Sequence, residues 1–177
     1  MSRLSLGLAA ATAIGSIAAG IAFAGPERVK YPEKFRQDFV MFNTVDRPDL
    51  KAVRLVFINK AADAEAKAGQ PLPEGSILIV EQRKAKLDDK GEPLRDAAGR
   101  LIPTDEIMTI LAMEKRKGWG EAYPADKRNG DWEYNVFKPD RTPNVAVKMD
   151  GCFSCHLNRA DRDFTFTYFK NRQDRGN

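Results

Sequence analysis

The feature that most constrains this chain is a Cys-x-x-Cys-His motif near its C-terminal end, Cys152-Phe153-Ser154-Cys155-His156. This spacing is the attachment signature of c-type haem, because the two cysteines can form thioethers with the two vinyl groups on one edge of the porphyrin. The histidine that follows is carried beneath the iron, where its imidazole can act as the proximal ligand. The motif therefore predicts one covalent haem c, attached at Cys152 and Cys155 and ligated by His156.

A Cys-x-x-Cys pair has two other common uses, as a redox-active dithiol and as half of a zinc site. A zinc site would need two further Cys or His ligands, and the whole sequence contains 2 cysteines and 1 histidine. A dithiol motif would be expected in a thioredoxin-like βαβ setting, which the surrounding sequence does not provide. We therefore favour haem c and keep the dithiol as the alternative.

The single histidine also limits what can bind the opposite face of the iron. With His156 on the proximal side, the sixth position falls to Met, Lys, water or no ligand. The candidate methionines are Met41, Met108, Met113 and Met149. Met149 lies too close to the attachment site to cross easily to the other face, and the other three fit packing roles better. A methionine at the sixth position would indicate an electron carrier, whereas an open sixth position would indicate a protein that binds small ligands.

Residues 1–24 have the composition of a secretory signal. Arg3 supplies a positive start, residues 4–21 are apolar and rich in small side chains, and Ala22-Phe23-Ala24 is an A-x-A cleavage site. An uncleaved membrane anchor is the alternative, since the apolar run approaches ~20 residues. Export agrees with haem c attachment, which takes place outside the bacterial cytoplasm, where disulfides also form. We expect a cleaved signal, a periplasmic protein and a single domain over residues 25–177.

Charged residues of both signs are mixed along the chain. The sequence has 29 Lys and Arg against 25 Asp and Glu, a formal net charge of +4. No basic run is interleaved with aromatic residues, so nucleic-acid binding is not supported. The distribution is typical of a solvated, mixed surface.

The apolar patterns predict a chain that is mainly β. Three segments fit strands from their β-branched, continuously apolar or alternating patterns: 53–58, 76–87 and 131–137. The composition of residues 105–116 is also compatible with a helix, but their position between strand-like segments favours an antiparallel strand. Residues 60–68 fit a helix capped by Asn59, and residues 88–100 fit a long hairpin connection. Residues 163–169 alternate aromatic residues with threonine, as a strand closing the sheet would.

This order of elements differs from both common helical haem c scaffolds. Small electron-carrying cytochromes c have the motif near the N-terminus, and helical cytochromes c′ have it on the last helix of a bundle. A late Cys-x-x-Cys-His after about four strands, followed by Asp-Phe-Thr-Phe-Thr, instead resembles the cytochrome P-460 family and its relative cytochrome c′-β. The resemblance covers about residues 31–169 and is carried by 54–59, 73–77, 113–114, 129–134, 152–156 and 163–166.

The resemblance implies a fold, an assembly and a cofactor geometry. The fold would be α+β, mainly an antiparallel β-sheet with a few helices, and the protein would be a homodimer. The haem would be held beneath the sheet, with five-coordinate iron bound through histidine.

The resemblance also singles out Val80. In the hydroxylamine-oxidising members, a strand lysine is covalently bonded to the haem, five residues after the glycine equivalent to Gly75, and Val80 occupies that position here. Lys84 and Lys86 follow on the same predicted strand, and a register shift of four residues would be needed to bring Lys84 to this point. The departure argues against hydroxylamine oxidation and favours cytochrome c′-β, whose apolar distal pocket binds nitric oxide.

Two polar residues, Arg54 and Glu114, match residues of the family's distal pocket. A guanidinium can donate hydrogen bonds to bound NO, peroxide or hydroxylamine, and a nearby carboxylate could move protons. The alternative interpretation is that Arg54 and Glu114 form an ordinary cross-strand ion pair on the surface of the sheet.

The sequence thus predicts an exported mono-haem c protein with His-ligated, five-coordinate iron that binds small neutral ligands, chiefly NO. Val80 would belong to the apolar distal wall, and Arg54 would lie near the ligand. The first alternative is a hydroxylamine-oxidising or peroxidase-like enzyme that uses Arg54 and Glu114. The second is a His/Met electron-transfer cytochrome, for which a small redox protein would be the partner.

Overall fold

The computed structural model describes residues 25–168, so the predicted signal segment lies outside the described residues. Five antiparallel strands form one sheet in which neighbours in sequence are neighbours in space. They are β1 (Phe39–Arg47), β2 (Ala52–Asn59), β3 (Ile77–Ala85), β4 (Pro103–Lys115) and β5 (Trp132–Phe137). The α+β fold with a mainly antiparallel sheet is confirmed.

The helices in the described residues are short. They are α1 (Phe35–Asp38), α2 (Lys60–Glu65) and α3 (Asp150–Leu157), with single 3₁₀ turns at Pro26–Arg28, Pro48–Leu50, Trp119–Ala122 and Ala160–Arg162. None of the helices between residues 25 and 168 has the length and apolar character that a membrane span requires.

The predicted hairpin connection is present, and the predicted helix differs from the structure in its end and in its cap. Residues 86–102 form the expected extended hairpin, held by bridges between Leu87 and Pro93 and between Arg95 and Leu101. Helix α2 starts at Lys60 as predicted but ends at Glu65, three residues early. The Asn59 side chain does not cap this helix. Its amide bonds the carbonyl of Gly75 at 3.1 Å and the N–H of Ile77 at 2.8 Å, which joins the end of β2 to the start of β3.

The prediction of a closing strand at residues 163–169 is wrong for the residues that are described, 163–168. Residues 163–167 form a turn and irregular backbone after the 3₁₀ turn at Ala160–Arg162, and Tyr168 is helical. Asp163 and Phe164 have φ values of 49° and 58°, in the left-handed region, which is incompatible with an extended strand. Burial does not follow the alternation either, since Thr165 and Tyr168 are buried while Phe166 is exposed.

Each face of the sheet is covered by a different part of the chain. One face packs through Leu78, Met113 and Tyr134 against Phe153 of α3, and we call it the α3 face. The other packs through apolar residues of β1 to β5 against Val29 and Phe35, and we call it the N-terminal face. Since side chains alternate between faces along a strand, the register decides which residues can meet α3.

A close backbone contact next to β5 leads to a stability prediction. A Cβ atom at Gly120 would lie 2.8 Å from the carbonyl carbon of Gly130 and nearer still to its oxygen. Relief would require the backbone leading into β5 to move. We expect Gly120→Ala to lower the free energy of unfolding by roughly 3 kcal/mol, the upper end for overpacking, as measured by urea denaturation.

The matched control for this prediction is Gly91→Ala. Gly91 has φ +79° but open space around its Cα, so alanine there meets only the left-handed backbone penalty of about 1 kcal/mol. Equal losses of stability in the two variants would contradict the specific cost of the contact between Gly120 and Gly130.

Candidate functional site

The Cys-x-x-Cys-His motif lies on helix α3, which is packed on the sheet by Phe153. Helical spacing places residues three and four apart on one side of the helix, so Cys152, Cys155 and His156 are neighbours. Cys152 and His156 are half-buried, whereas Cys155 is exposed. The two thiols and the imidazole therefore line one edge of the space between α3 and the sheet.

That space is a cavity of about 630 Å³, within the range of cofactor and ligand pockets. Cys152, Cys155 and His156 line it on one side, with residues 165–168 beside them. The opposing wall comes from the strands and is mainly apolar: Val45, Val56, Leu78, Val80, Leu111, Met113 and Val136. The cavity thus brings the complete haem motif to an apolar sheet surface.

The imidazole of His156 is held in a defined tautomer. Its Nδ1 lies 2.6 Å from the carbonyl oxygen of Phe164, and because a carbonyl only accepts, Nδ1 must carry the proton. The ring also packs against Tyr134 and Phe166, each with a centroid separation of 4.9 Å. Nε2 therefore keeps its lone pair, the arrangement found for histidines that ligate metals.

The surroundings of His156 also keep it neutral. Burial lowers the pKa of the imidazole, and the hydrogen bond to Phe164 offsets this only in part. A neutral imidazole is the form that can donate a lone pair to iron.

The thiol of Cys152 lacks the electrostatics of a redox dithiol. Burial raises its pKa, and the nearby Cys155 adds to the effect. Reactive Cys-x-x-Cys pairs instead have a cysteine whose pKa is lowered by neighbouring positive charge or a helix N-terminus. A raised pKa disfavours the thiolate form that a reactive dithiol needs at Cys152.

Arg54 lines the cavity, as the resemblance implied. Its Nε donates a 2.9 Å hydrogen bond to Oε1 of Gln82, its cross-strand neighbour on β3, and no ion pair of Arg54 occurs within residues 25–168. Burial lowers the pKa of the guanidinium, with a further contribution from the positive charge of Arg47. Arg54 is thus a half-buried cation beside an apolar cavity, and the other N–H groups of its guanidinium could donate hydrogen bonds to a ligand.

The position of Glu114 corrects the prediction that it shares this pocket with Arg54. Glu114 is absent from the cavity wall, although the preceding Met113 is part of it. In the sheet Glu114 pairs with Ile77, which packs on the N-terminal face, and its Oε1 accepts a 2.7 Å hydrogen bond from Nε of Arg116. Because neighbours along a strand face opposite sides, Glu114 faces away from α3.

Val80 lies in the cavity wall, and neither Lys84 near the end of β3 nor Lys86 just after it replaces Val80 there. The amino group of Lys84 lies 3.5 Å from Glu106 on the surface, and Lys86 is exposed. The pairing of β2 with β3 runs without interruption past Val80, and the irregularities between β3 and β4 come only after Gln82. No register shift therefore brings either lysine to the position of Val80.

Of the methionines considered as sixth ligands, all within the described residues, only Met113 lines the cavity. Met41 and Met108 are 51% and 42% exposed, and Met149 packs beside α3. Met113 is therefore the methionine to test for iron ligation.

Sequence reasoning missed two contributors to this site. Tyr134 is a buried core residue whose ring packs against His156 at an angle of 45°, and its hydroxyl accepts a 2.9 Å hydrogen bond from Nδ2 of Asn129. The same Asn129 amide donates to the carbonyl of Phe153 at 3.0 Å, which anchors α3 to the sheet. Burial strongly raises the pKa of Tyr134, so its hydroxyl stays protonated. The alternating pattern of residues 131–137 predicts a strand, but it cannot show that α3 covers the face on which Tyr134 lies.

The residues present fit a haem. The cavity has an adequate volume, an imidazole with a free Nε2 and two cysteines at one edge. His156 would ligate the iron of a haem bound here, and the porphyrin would supply the equatorial ligands. The described residues hold no group of three or more His, Cys, Asp or Glu side chains that could bind a metal ion.

Comparison with known proteins agrees with this interpretation. No curated protein matches the chain. The sequence model of the Cytochrome P460 family matches residues 32–167, which include all five strands and the haem motif. With most of its length matched, the chain belongs to the Cytochrome P460 family and is a haem-binding cytochrome.

Proposed function

We propose that this cytochrome carries one haem c, attached through Cys152 and Cys155 and ligated by His156, and that it binds small ligands such as NO at the open side of five-coordinate iron. The observation that carries the proposal is the hydrogen bond from Nδ1 of His156 to the carbonyl of Phe164, which leaves Nε2 as a neutral donor. When bound, the haem supplies an iron with one free coordination position.

The apolar character of the cavity wall favours a ligand that is small and uncharged. Val56, Val80, Leu111 and Val136 line it, and apolar side chains offer no hydrogen bonds to a charged or strongly hydrated molecule. Arg54 adds a hydrogen-bond donor at one side. A diatomic molecule that accepts a hydrogen bond satisfies both features.

The hydroxylamine-oxidising alternative has less support. Arg54 in the cavity would suit it, but Val80 stands where those members have their lysine, and Glu114 faces away from the cavity. The electron-transfer alternative has one observation in its favour, the presence of Met113 in the cavity wall.

We propose a periplasmic location, on the signal-like composition of residues 1–24 and the compartment in which haem c is attached. A homodimer is proposed on the family resemblance. A small redox protein would be a partner if the iron cycles between oxidation states.

The deciding test uses the holoprotein. We expect the reduced protein to have five-coordinate, high-spin iron by resonance Raman spectroscopy, to bind NO and to show no hydroxylamine turnover. Low-spin iron that becomes high-spin in Met113→Leu would establish the electron carrier instead. Hydroxylamine turnover, with a macrocycle cross-link visible in the mass of the haem peptide, would establish the enzyme.

Arg54 provides a second prediction. If its guanidinium donates a hydrogen bond to the bound ligand, Arg54→Leu removes a charge-assisted bond, and we expect NO to dissociate from the ferrous protein about tenfold faster, equivalent to ~1.4 kcal/mol. Stopped-flow mixing with an NO scavenger measures the rate. Arg95→Leu, at an exposed position in the hairpin, is the control. Unchanged dissociation in Arg54→Leu would remove Arg54 from the ligand's surroundings.

A further inference from the structure

The carbonyl that orients His156 lies in an unusual piece of backbone. Phe164 and the preceding Asp163 both adopt left-handed conformations, with φ values of 58° and 49°. Two consecutive left-handed residues are unfavourable when neither is glycine, so the surroundings must hold them. Part of the restraint is local, since the N–H of Phe164 donates to the carbonyl of Arg159 at 2.7 Å.

The rest of the restraint comes from the end of β4. The ammonium of Lys115 lies 2.9 Å from both carboxylate oxygens of Asp163 and donates to the carbonyl of Leu72, also at 2.9 Å. The N–H of Leu72 donates to the same carboxylate at 2.8 Å. The three groups thus form a closed hydrogen-bonded arrangement that ties the residue before Phe164 to the sheet.

This arrangement is not an ordinary surface ion pair. The side chains of Lys115 and Asp163 are 16% and 10% exposed, and the ammonium lies 5.7 Å from the ring centroid of the buried Trp132. Reduced contact with water makes the interaction stronger and more directional than an exposed pair.

We infer that Lys115 and Asp163 are positioning residues for the proximal histidine. The ion pair holds the left-handed turn that presents the carbonyl of Phe164 to Nδ1 of His156. A well-placed acceptor at Nδ1 makes the imidazole a more basic ligand, which favours the ferric state. This inference rests on the proposed ligation of haem iron by His156 and extends it to how the iron's reduction potential is set.

The test compares holoprotein variants. In Lys115→Met the carboxylate of Asp163 loses its cationic partner. In Asp163→Asn the carboxylate is replaced by a neutral amide of the same shape, and asparagine tolerates a left-handed backbone. For both variants we expect a lower Fe–His stretching frequency in the resonance Raman spectrum of the ferrous protein and a higher reduction potential. Lys115→Arg, which retains the charge, should restore values close to those of the wild type.

The control is Lys84→Met, which removes a lysine of β3 from an exposed ion pair with Glu106 of β4 and should leave both readouts unchanged. Variants with unaltered stretching frequency and potential, even if less stable to heat, would overturn the inference and show a purely structural pair. Should Lys115→Met fail to fold, Asp163→Asn decides alone. A wild-type protein with no Fe–His band would instead refute the proposed ligation, an outcome distinguishable from failure of the positioning role.

Discussion

Replacing both Cys152 and Cys155 with alanine is expected to abolish covalent retention of haem. The sequence has no other cysteine, so no thioether can form elsewhere. The measurement is mass spectrometry of the denatured protein together with acid-acetone extraction, which removes only unattached haem. We expect full extraction from the double variant and none from the wild type.

The two single cysteine variants and a control variant at the neighbouring Ser154 test this expectation further. Cys152→Ala and Cys155→Ala should each keep one thioether, with a pyridine haemochrome band between those of haem b and haem c. Ser154→Ala is the matched control, because its hydroxyl only donates a 2.8 Å hydrogen bond to the carbonyl of Asp150 within α3. Haem that stays attached in the double variant would contradict the assigned attachment site.

Replacing His156 with glycine is expected to remove imidazole ligation from the iron entirely. The sequence contains 1 histidine, so no second imidazole can take its place. The Fe–His band of the ferrous protein should vanish. Because glycine leaves a space bounded by Tyr134 and Phe166, added imidazole should enter it and restore the band.

The matched control for this variant is Leu157→Gly, which places the same flexible residue one position further along α3 at an exposed site. It tests whether glycine near the helix end disturbs the iron by itself. A persistent Fe–His band in His156→Gly without added imidazole would show that the ligand has been misassigned.

The strands were largely predictable because their signals are local. The continuously apolar run at Ile77–Val80 marked a strand covered on both faces, and β3 is covered by α3 on one side and by the N-terminal segment on the other. The haem motif and the substitution at Val80 were also visible in the sequence. These features need only the order of residues and the geometry of a single element.

The face of the sheet on which Glu114 lies was not predictable from the sequence. Residues 112–114 at the end of β4 are all buried, so polarity does not alternate there and cannot indicate which face Glu114 takes. The pairing of Glu114 with Ile77 decides the matter, and that pairing depends on the register between β3 and β4. Arg54 was predicted near the ligand only through the family resemblance, and the pairing of β1 with β2 is what places it beside Val45 on the cavity wall.

The sequence by itself determined the chemistry available to this protein: two thiols and one imidazole in attachment spacing, and valine where related enzymes have a bonded lysine. Only the tertiary structure decided how that imidazole is oriented. Its Nδ1 bonds a carbonyl eight residues away, in a turn held by a lysine 48 residues earlier than its aspartate partner. Such a conformation has no local signal, because the left-handed backbone at Asp163 and Phe164 is stabilised by contacts with other parts of the chain and not by the residues' own preferences.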